Sequence, residues 1–321
     1  MKKEILEIEN LSVEYKLEER TIKALENVDL RVYKGEALGI AGESGCGKST
    51  LAYAILNSVP YPGKITSGKV VYDNTINILK LSDKEISKIK WKEIALVPQA
   101  SQNILNPVLK IYDHFEETFK AHEPSIKRGD IKSKAKELLE MVRLDPKRVL
   151  NSYPHELSGG MRQRVIIALS LIFNPKVLIL DEPTSALDVL TQYYFMRVLN
   201  SLKRKLNITI IFITHDMAVL AEIADRIAIM YAGKIVEVAP SEDIFLKPKH
   251  PYTEALIKAI PSVTGNLEGL KSIPGQPPDL ASPPPGCRFA PRCPYADNKC
   301  QKVEPKLKKI DNEHMVACLR W

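Results

Sequence analysis

A short apolar run, Ala37-Leu38-Gly39-Ile40-Ala41, passes directly into Gly42-Glu43-Ser44-Gly45-Cys46-Gly47-Lys48-Ser49-Thr50, and few folds accommodate that succession. The run has the length of a buried strand, and the residues after it predict a helix beginning near Ser49, which is the setting a phosphate loop requires. Glycines at 42, 45 and 47 permit positive φ and close approach of the backbone to an anion, so that successive N–H groups, those of Ser44 and Cys46 included, line a concave nest. Lys48 adds a point charge for the β and γ phosphates. Ser49 has the hydroxyl a Mg²⁺ ion takes, Thr50 follows it, and the positive end of the helix adds to the field. A nucleoside triphosphate is the expected ligand; taken alone, the loop also fits a plain glycine turn between strand and helix.

A second apolar run, Val177-Leu178-Ile179-Leu180, reads as a strand buried on both faces of a parallel sheet. It ends in Asp181 and Glu182, at the carboxyl end where such sheets bind ligands. Asp181 suits Mg²⁺ through water, since Mg²⁺ keeps several waters and takes one or two carboxylates. Glu182 is then the base that polarises an attacking water, although Asp181-Glu182-Pro183-Thr184 by itself also fits a turn and helix cap. A third run, Ile208 to Thr214, ends in His215-Asp216. A lone histidine after a strand is more often structural, but this one follows the strand next in sequence, where a contact to the γ-phosphate belongs.

Between these segments lies Leu157-Ser158-Gly159-Gly160-Met161-Arg162-Gln163. The tetrapeptide alone is also an ordinary N-capped helix start. In order with the other motifs it resembles the signature of the nucleotide-binding subunits of ATP-binding cassette (ABC) transporters. The resemblance runs from about Leu6 to Pro240. It implies an α/β ABC ATPase fold: a RecA-like parallel-sheet core, an N-terminal antiparallel β subdomain, an inserted α-helical subdomain and a small C-terminal cysteine-rich extension. It implies ATP and Mg²⁺ as ligands, with Ser158, Gly159 and Gly160 capping ATP held by a second cassette. Tyr15 corresponds to the aromatic that stacks on adenine, a place that Tyr33 or a core role for Tyr15 would challenge. Gln99 corresponds to the glutamine on Mg²⁺ or water, Ser185 to Asp188 to the loop crossing the dimer interface, and His215 to the switch histidine. The catalytic set implied is Lys48, Gln99, Glu182 and His215.

The chain has 321 residues, 45% of them hydrophobic and 26% charged, as a folded protein with a large core does. No apolar stretch approaches the roughly 18 residues that cross a bilayer. Met1-Lys2-Lys3-Glu4 begins no cleavable signal. A peripheral chain on the cytoplasmic face of the membrane is expected, attached through its partners. The net charge of +7 comes from dispersed lysines without interleaved aromatics, so no nucleic-acid partner is expected. Lys80 to Lys90 and Lys132 to Arg143 have the apolar spacing of amphipathic helices, and Ile5 to Val71 the alternation of antiparallel strands. The reading places a nucleotide-binding domain at 1–240, with its helical subdomain at about 100–165, and an extension at 241–321.

Lys249-His250-Pro251-Tyr252-Thr253-Glu254-Ala255-Leu256 resembles the C-terminal segment of oligopeptide and dipeptide importer ATPases, and Met161-Arg162 one of the two ATPase types that such importers combine. The partners implied are a homologous, non-identical ATPase subunit, two integral membrane permease subunits and, indirectly, an extracellular substrate-binding protein. Related chains serve oligosaccharide or nickel uptake, and a soluble ABC ATPase acting on nucleic acid or ribosomes is the rival of another class. Proline-rich chain (Pro274 to Pro285) then leads to Cys287, Cys293, Cys300 and Cys318, spaced C-x5-C-x6-C-x17-C. In a reducing compartment a four-thiolate metal site is the natural reading. The absence of Cys-x2-Cys knuckles and the resemblance to peptide-importer tails favour a 4Fe-4S cluster, with zinc as the alternative and free or disulfide-linked thiols as the third.

Overall fold

The structure is a computed structural model that describes residues 3–260, 273–311 and 313–321; Met1 and Lys2, with which the leader reading began, lie outside the described residues. The chain forms two compact units, Met1–Leu81 with Phe212–Trp321, and Ser82–Ile211.

In the first unit the alternating N-terminal segment forms an antiparallel sheet in the order Thr21–Tyr33, Glu4–Lys16, Gly63–Tyr72, Ile76–Asn77. Its register slips between Ile8 and Leu11, where Asn10 takes φ 47°, so both Ile8 and Leu11 are buried although three residues apart. A second set of strands begins with Ala37–Ala41, which has the expected bounds and is wholly buried. It pairs in parallel with Arg226–Tyr231, Leu38 opposite Arg226 through Ala41 opposite Ile229. Lys234–Pro240 follows antiparallel, then Met315–Val316, from near the end of the chain, with Glu237 opposite Val316, and Lys308–Lys309 pairs outside it as the edge. The C-terminal tail is thus built into this unit by backbone pairing.

Where the parallel pair begins, Arg226 donates to Glu36 at 3.1 Å and stacks over Tyr33 at 4.8 Å, while the Tyr33 N–H donates to Glu36 Oε1 at 2.8 Å. Tyr33 is therefore committed to a structural contact.

The second unit pairs Ile94–Val97 in parallel with Val177–Asp181, Ile94 opposite Val177 through Val97 opposite Leu180. Its helices include Ile111–His122, Arg128–Met141, Gly159–Ser170 and Val189–Leu206. Ile111, Phe115 and Phe119 of the first, and Ile131, Ala135, Leu138 and Leu139 of the next, are buried at the three-to-four-residue spacing of an amphipathic helix. The helix expected over Lys80 to Lys90 is shorter, Asp83–Ile89, because Ser82 and Glu85 form a capping box that starts it at Asp83. The one expected from Lys132 begins four residues earlier, at Arg128. Among the described residues no helix is long and apolar enough to cross a membrane.

Candidate functional site

The glycine loop ends in the helix Lys48–Ile55, with Gly47 as its N-cap at φ 108°. Lys48 is buried, and its ammonium donates to the carbonyls of Gly42 at 2.8 Å and Glu43 at 3.0 Å. The lysine thereby closes the loop into a ring, within which the Cys46 N–H also donates to the Glu43 carbonyl at 3.3 Å. Burial raises the Cys46 thiol, against the pull of the Lys48 charge, so this cysteine sits in the loop as a neutral group. Ser44 and Gly45 are exposed at the rim, and Ser49 and Thr50 are half-buried in the first helical turn. The same unit carries Tyr15, half-buried on its strand opposite Gly63, and His215, exposed between the strand Thr209–Ile213 and the helix Met217–Ile223. Asp216 caps that helix by accepting from the Ala218 N–H at 2.9 Å.

The second unit carries the acidic pair, Gln99 and the Ser-Gly-Gly turn. Asp181 is buried at the end of its strand. Glu182 takes φ 50°, an uncommon backbone for its type, and its carbonyl accepts from the Ser185 hydroxyl at 3.1 Å. Ser158 caps Gly159–Ser170, its hydroxyl accepting from the Met161 N–H at 3.3 Å, with Gly159 half-buried and Gly160 buried in the first turn. Asp188 in turn caps Val189–Leu206 through the Thr191 N–H and hydroxyl at 2.9 and 2.6 Å. Gln99 is exposed at the end of its strand, and just beyond it the Ser101 hydroxyl donates to Gln163 of the signature helix at 3.3 Å.

Sequence reasoning passed over Glu43. Its carboxylate takes two bonds from Arg292, at 2.8 and 2.9 Å, and its N–H donates to the buried Tyr252 hydroxyl at 2.9 Å. The available signal was its charge: a carboxylate inside an anion-binding loop requires a cation nearby.

In the tail, Cys287, Cys293, Cys300 and Cys318 line one cavity of about 20 Å³ with His250, Phe289 and Tyr295. The Cys287 N–H donates to the Cys300 carbonyl at 2.8 Å, and Asp297 caps the short helix that carries Cys300. Burial pushes the Cys287 thiol up to about 11, and raises those of Cys293 and Cys318. Four soft donors therefore line one cavity, which is the donor set iron–sulfur clusters and zinc take. The cavity is the size of one water, however, and among the described residues no three His, Cys, Asp or Glu side chains stand as ligands around a metal position.

The family model for the ABC transporter matches residues 25–185, and that for the oligopeptide/dipeptide transporter, C-terminal region, matches residues 236–300. The chain is 49% identical over 314 residues to the dipeptide transport ATP-binding protein DppD of Caldanaerobacter subterraneus subsp. tengcongensis, covering 98% of this chain and 96% of that one. It is 41% identical over 315 residues to the oligopeptide transport ATP-binding protein OppD of Bacillus subtilis, covering 97% and 87%. Among solved structures, the dimeric bacterial ABC transporter cassette MJ0796 superposes with a TM-score of 0.65 at 32% identity, over 74% of this chain and 99% of that one. The fold and loop thus define an ATP-binding cassette ATPase. The chain belongs to the ABC transporter family, in the branch that carries the oligopeptide/dipeptide transporter C-terminal region.

Proposed function

We propose that this chain is the ATP-binding and hydrolysing subunit of an importer of dipeptides or oligopeptides. One observation carries the substrate class: a cassette continuous with a peptide-transporter C-terminal region, in a chain that matches DppD and OppD almost end to end. It works at the cytoplasmic face of the membrane with two permease subunits and a homologous second ATPase, and receives substrate indirectly from an extracellular binding protein. Oligosaccharide or nickel uptake is the nearest different cargo, since cargo is chosen by the other subunits. In the proposed division of the chain, 1–240 is the cassette, with its helical part at about 100–165, and 241–321 the extension.

In this reading Tyr15 stacks on adenine, and N–H groups of the 42–50 loop, that of Glu43 excepted, grip the triphosphate with Lys48. Mg²⁺, when bound, neutralises phosphate charge, and Ser49, Asp181 and Gln99 are the residues that would hold it. Glu182 accepts the proton of the attacking water, His215 orients that water against the γ-phosphate, and Ser158 to Gly160 close over the ATP of the partner cassette. The four late cysteines hold a 4Fe-4S cluster, or zinc, that orders a proline-rich tail with little core of its own. Their convergence on one cavity supports this reading.

The test is co-purification and reconstitution in vesicles with the permease and partner subunits. ATP-dependent uptake of a dipeptide is expected, lost in Glu182→Gln while ATP binding persists. Uptake of nickel or an oligosaccharide instead would overturn the cargo; wild-type turnover in Glu182→Gln would remove Glu182 from its role. Anaerobic preparations should contain iron and sulfide lost in Cys293→Ser, and zinc without iron would replace the cluster by the metal.

A further inference from the structure

We propose that Arg292 of the C-terminal tail is a positioning residue for ATP, clamping Glu43 so that the phosphate loop is held in its binding shape from outside the cassette. The proposal rests on the reading of 42–50 as the ATP loop.

Glu43 is held at three groups at once. Its carboxylate accepts from Arg292 Nη1 and Nη2 at 2.8 and 2.9 Å, its N–H donates to Tyr252 Oη at 2.9 Å, and its carbonyl accepts from Lys48 Nζ at 3.0 Å. The residue on which the lysine rests is thus oriented by two side chains that lie beyond residue 250.

The Arg292 side chain is 4% exposed and all five of its N–H donors are directed: Nε to the Pro274 carbonyl at 2.8 Å, Nη1 also to Tyr231 Oη at 3.2 Å, and Nη2 also to the Ile273 carbonyl at 3.4 Å. A bidentate pair with every donor in use fixes position as well as charge. It also neutralises a carboxylate carried by the loop itself, where an uncompensated negative charge opposes anion binding.

The clamp is part of a wider contact within this unit. Pro277, Pro278 and Leu280 line a cavity of about 20 Å³ with Glu43 to Cys46. The Lys23 N–H donates to the Leu280 carbonyl at 3.0 Å, and Arg288 bonds both Glu26 and the Ala232 carbonyl. Arg292 directly precedes Cys293, so whatever fixes the cysteines fixes the guanidinium. The tail is therefore wired to nucleotide affinity, and its state is read at the loop rather than at the reacting water.

The experiment measures binding of a fluorescent ATP analogue to the full-length chain, with amide hydrogen exchange of residues 42–48 and a thermal midpoint for each variant. Arg292→Gln is expected to weaken binding on the order of tenfold and speed exchange in the loop; because it also breaks a buried ion pair it should lower the midpoint, so binding and exchange are compared well below the midpoint of each variant. Arg292→Lys, which keeps the charge and loses the fork, should fall between. Glu43→Gln removes the charge that needs cancelling, so adding Arg292→Gln to it should cost far less than in the wild type. In the assembled transporter the same substitution should raise KM for ATP and leave kcat within about twofold. Unchanged binding and exchange in Arg292→Gln, or an equal loss in the Glu43→Gln background, overturns the clamp. A wild-type chain that binds no nucleotide overturns the ATP-loop reading itself, and the clamp with it.

Discussion

Gly160 of the signature turn lies against Thr191: a methyl group built on the glycine would stand 2.3 Å from Thr191 Cγ2. Thr191 is in turn the residue that Asp188 holds by both its N–H and its hydroxyl. The turn and the Ser185 to Asp188 loop are therefore packed through one threonine. Gly160→Ala should push Thr191 off its cap and cost about 1–3 kcal/mol of stability, as overpacking does. Urea denaturation measures the loss. Thr191→Ser keeps the hydroxyl and removes the offending methyl, so the double variant should regain most of it; no recovery would mean that the contact is not the cause.

Glu237 is fully buried and accepts from the N–H groups of Lys249 at 2.7 Å and His250 at 2.9 Å, with His314 Nε2 at 2.6 Å. It ties the strand Lys234–Pro240 to the start of the helix Pro251–Lys258 and to the chain near its end. Burial opposes its charge, and the bonds from His314, His250 and Lys249 outweigh that and hold its pKa below the usual carboxylate value. Glu237→Ala leaves these donors buried without an acceptor, and should destabilise by about 3–5 kcal/mol. The loss should appear first as faster hydrogen exchange in 250–258, before the remainder of the unit opens.

What could be read in advance follows from how local the determining pattern is. Ala37–Ala41 and Val177–Asp181 are continuous apolar runs with punctuation on both sides, and both were legible. Helix starts were less so, because Ser82 with Glu85 moves a boundary that apolar spacing alone puts at Lys80. Met315–Val316 is two residues long and has no period to read, yet it joins the tail to the core sheet. The loop from Gly42 to Thr50 was legible because its chemistry is contiguous. Its partners were not: Arg292 is 249 residues from Glu43, and His314 is 77 from Glu237. The spacing of the four cysteines led to the expectation of a common ligand set; the folded tail brings them to one small cavity, but among the described residues no three ligating side chains stand around a metal position.

His250 adds a pH dependence with a definite sign. Burial lowers its pKa to about 4, against the opposing pull of Glu237, and its Nδ1 accepts from the Tyr252 N–H at 3.0 Å. The folded chain keeps the ring neutral while the unfolded chain protonates it near the ordinary value of about 6.5. Stability is therefore fully present above that value and is lost as pH falls from about 6.5 toward 4, by roughly 3 kcal/mol in all. Glu237, whose folded value is depressed, adds a loss in the same direction at the acid end of that window. His250→Asn keeps a capping acceptor and removes the titration, so its denaturation midpoint should change less between neutral and mildly acidic buffer than the wild type does. Equal slopes would show that His250 is not the titrating group.

Two glycines of the phosphate loop should respond very differently to the same methyl group. Gly47, at φ 108°, has its Cβ direction aimed at the Ala24 carbonyl, 2.5 Å away, and that carbonyl belongs to a paired strand that cannot yield. Gly45, at φ 77°, faces open space, with nothing within 4 Å. Gly45→Ala carries only the cost of a left-handed backbone, about 1–2 kcal/mol. Gly47→Ala carries that cost and also a backbone collision, so the first turn of Lys48–Ile55 must shift and Lys48 with it. The fold of the loop should thus be kept in Gly45→Ala and lost in Gly47→Ala, and ATP-analogue binding should fall further in Gly47→Ala than in Gly45→Ala. Thermal midpoints of both variants separate loop distortion from unfolding, and equal binding by the two would mean that the Ala24 contact does not set the shape of the loop.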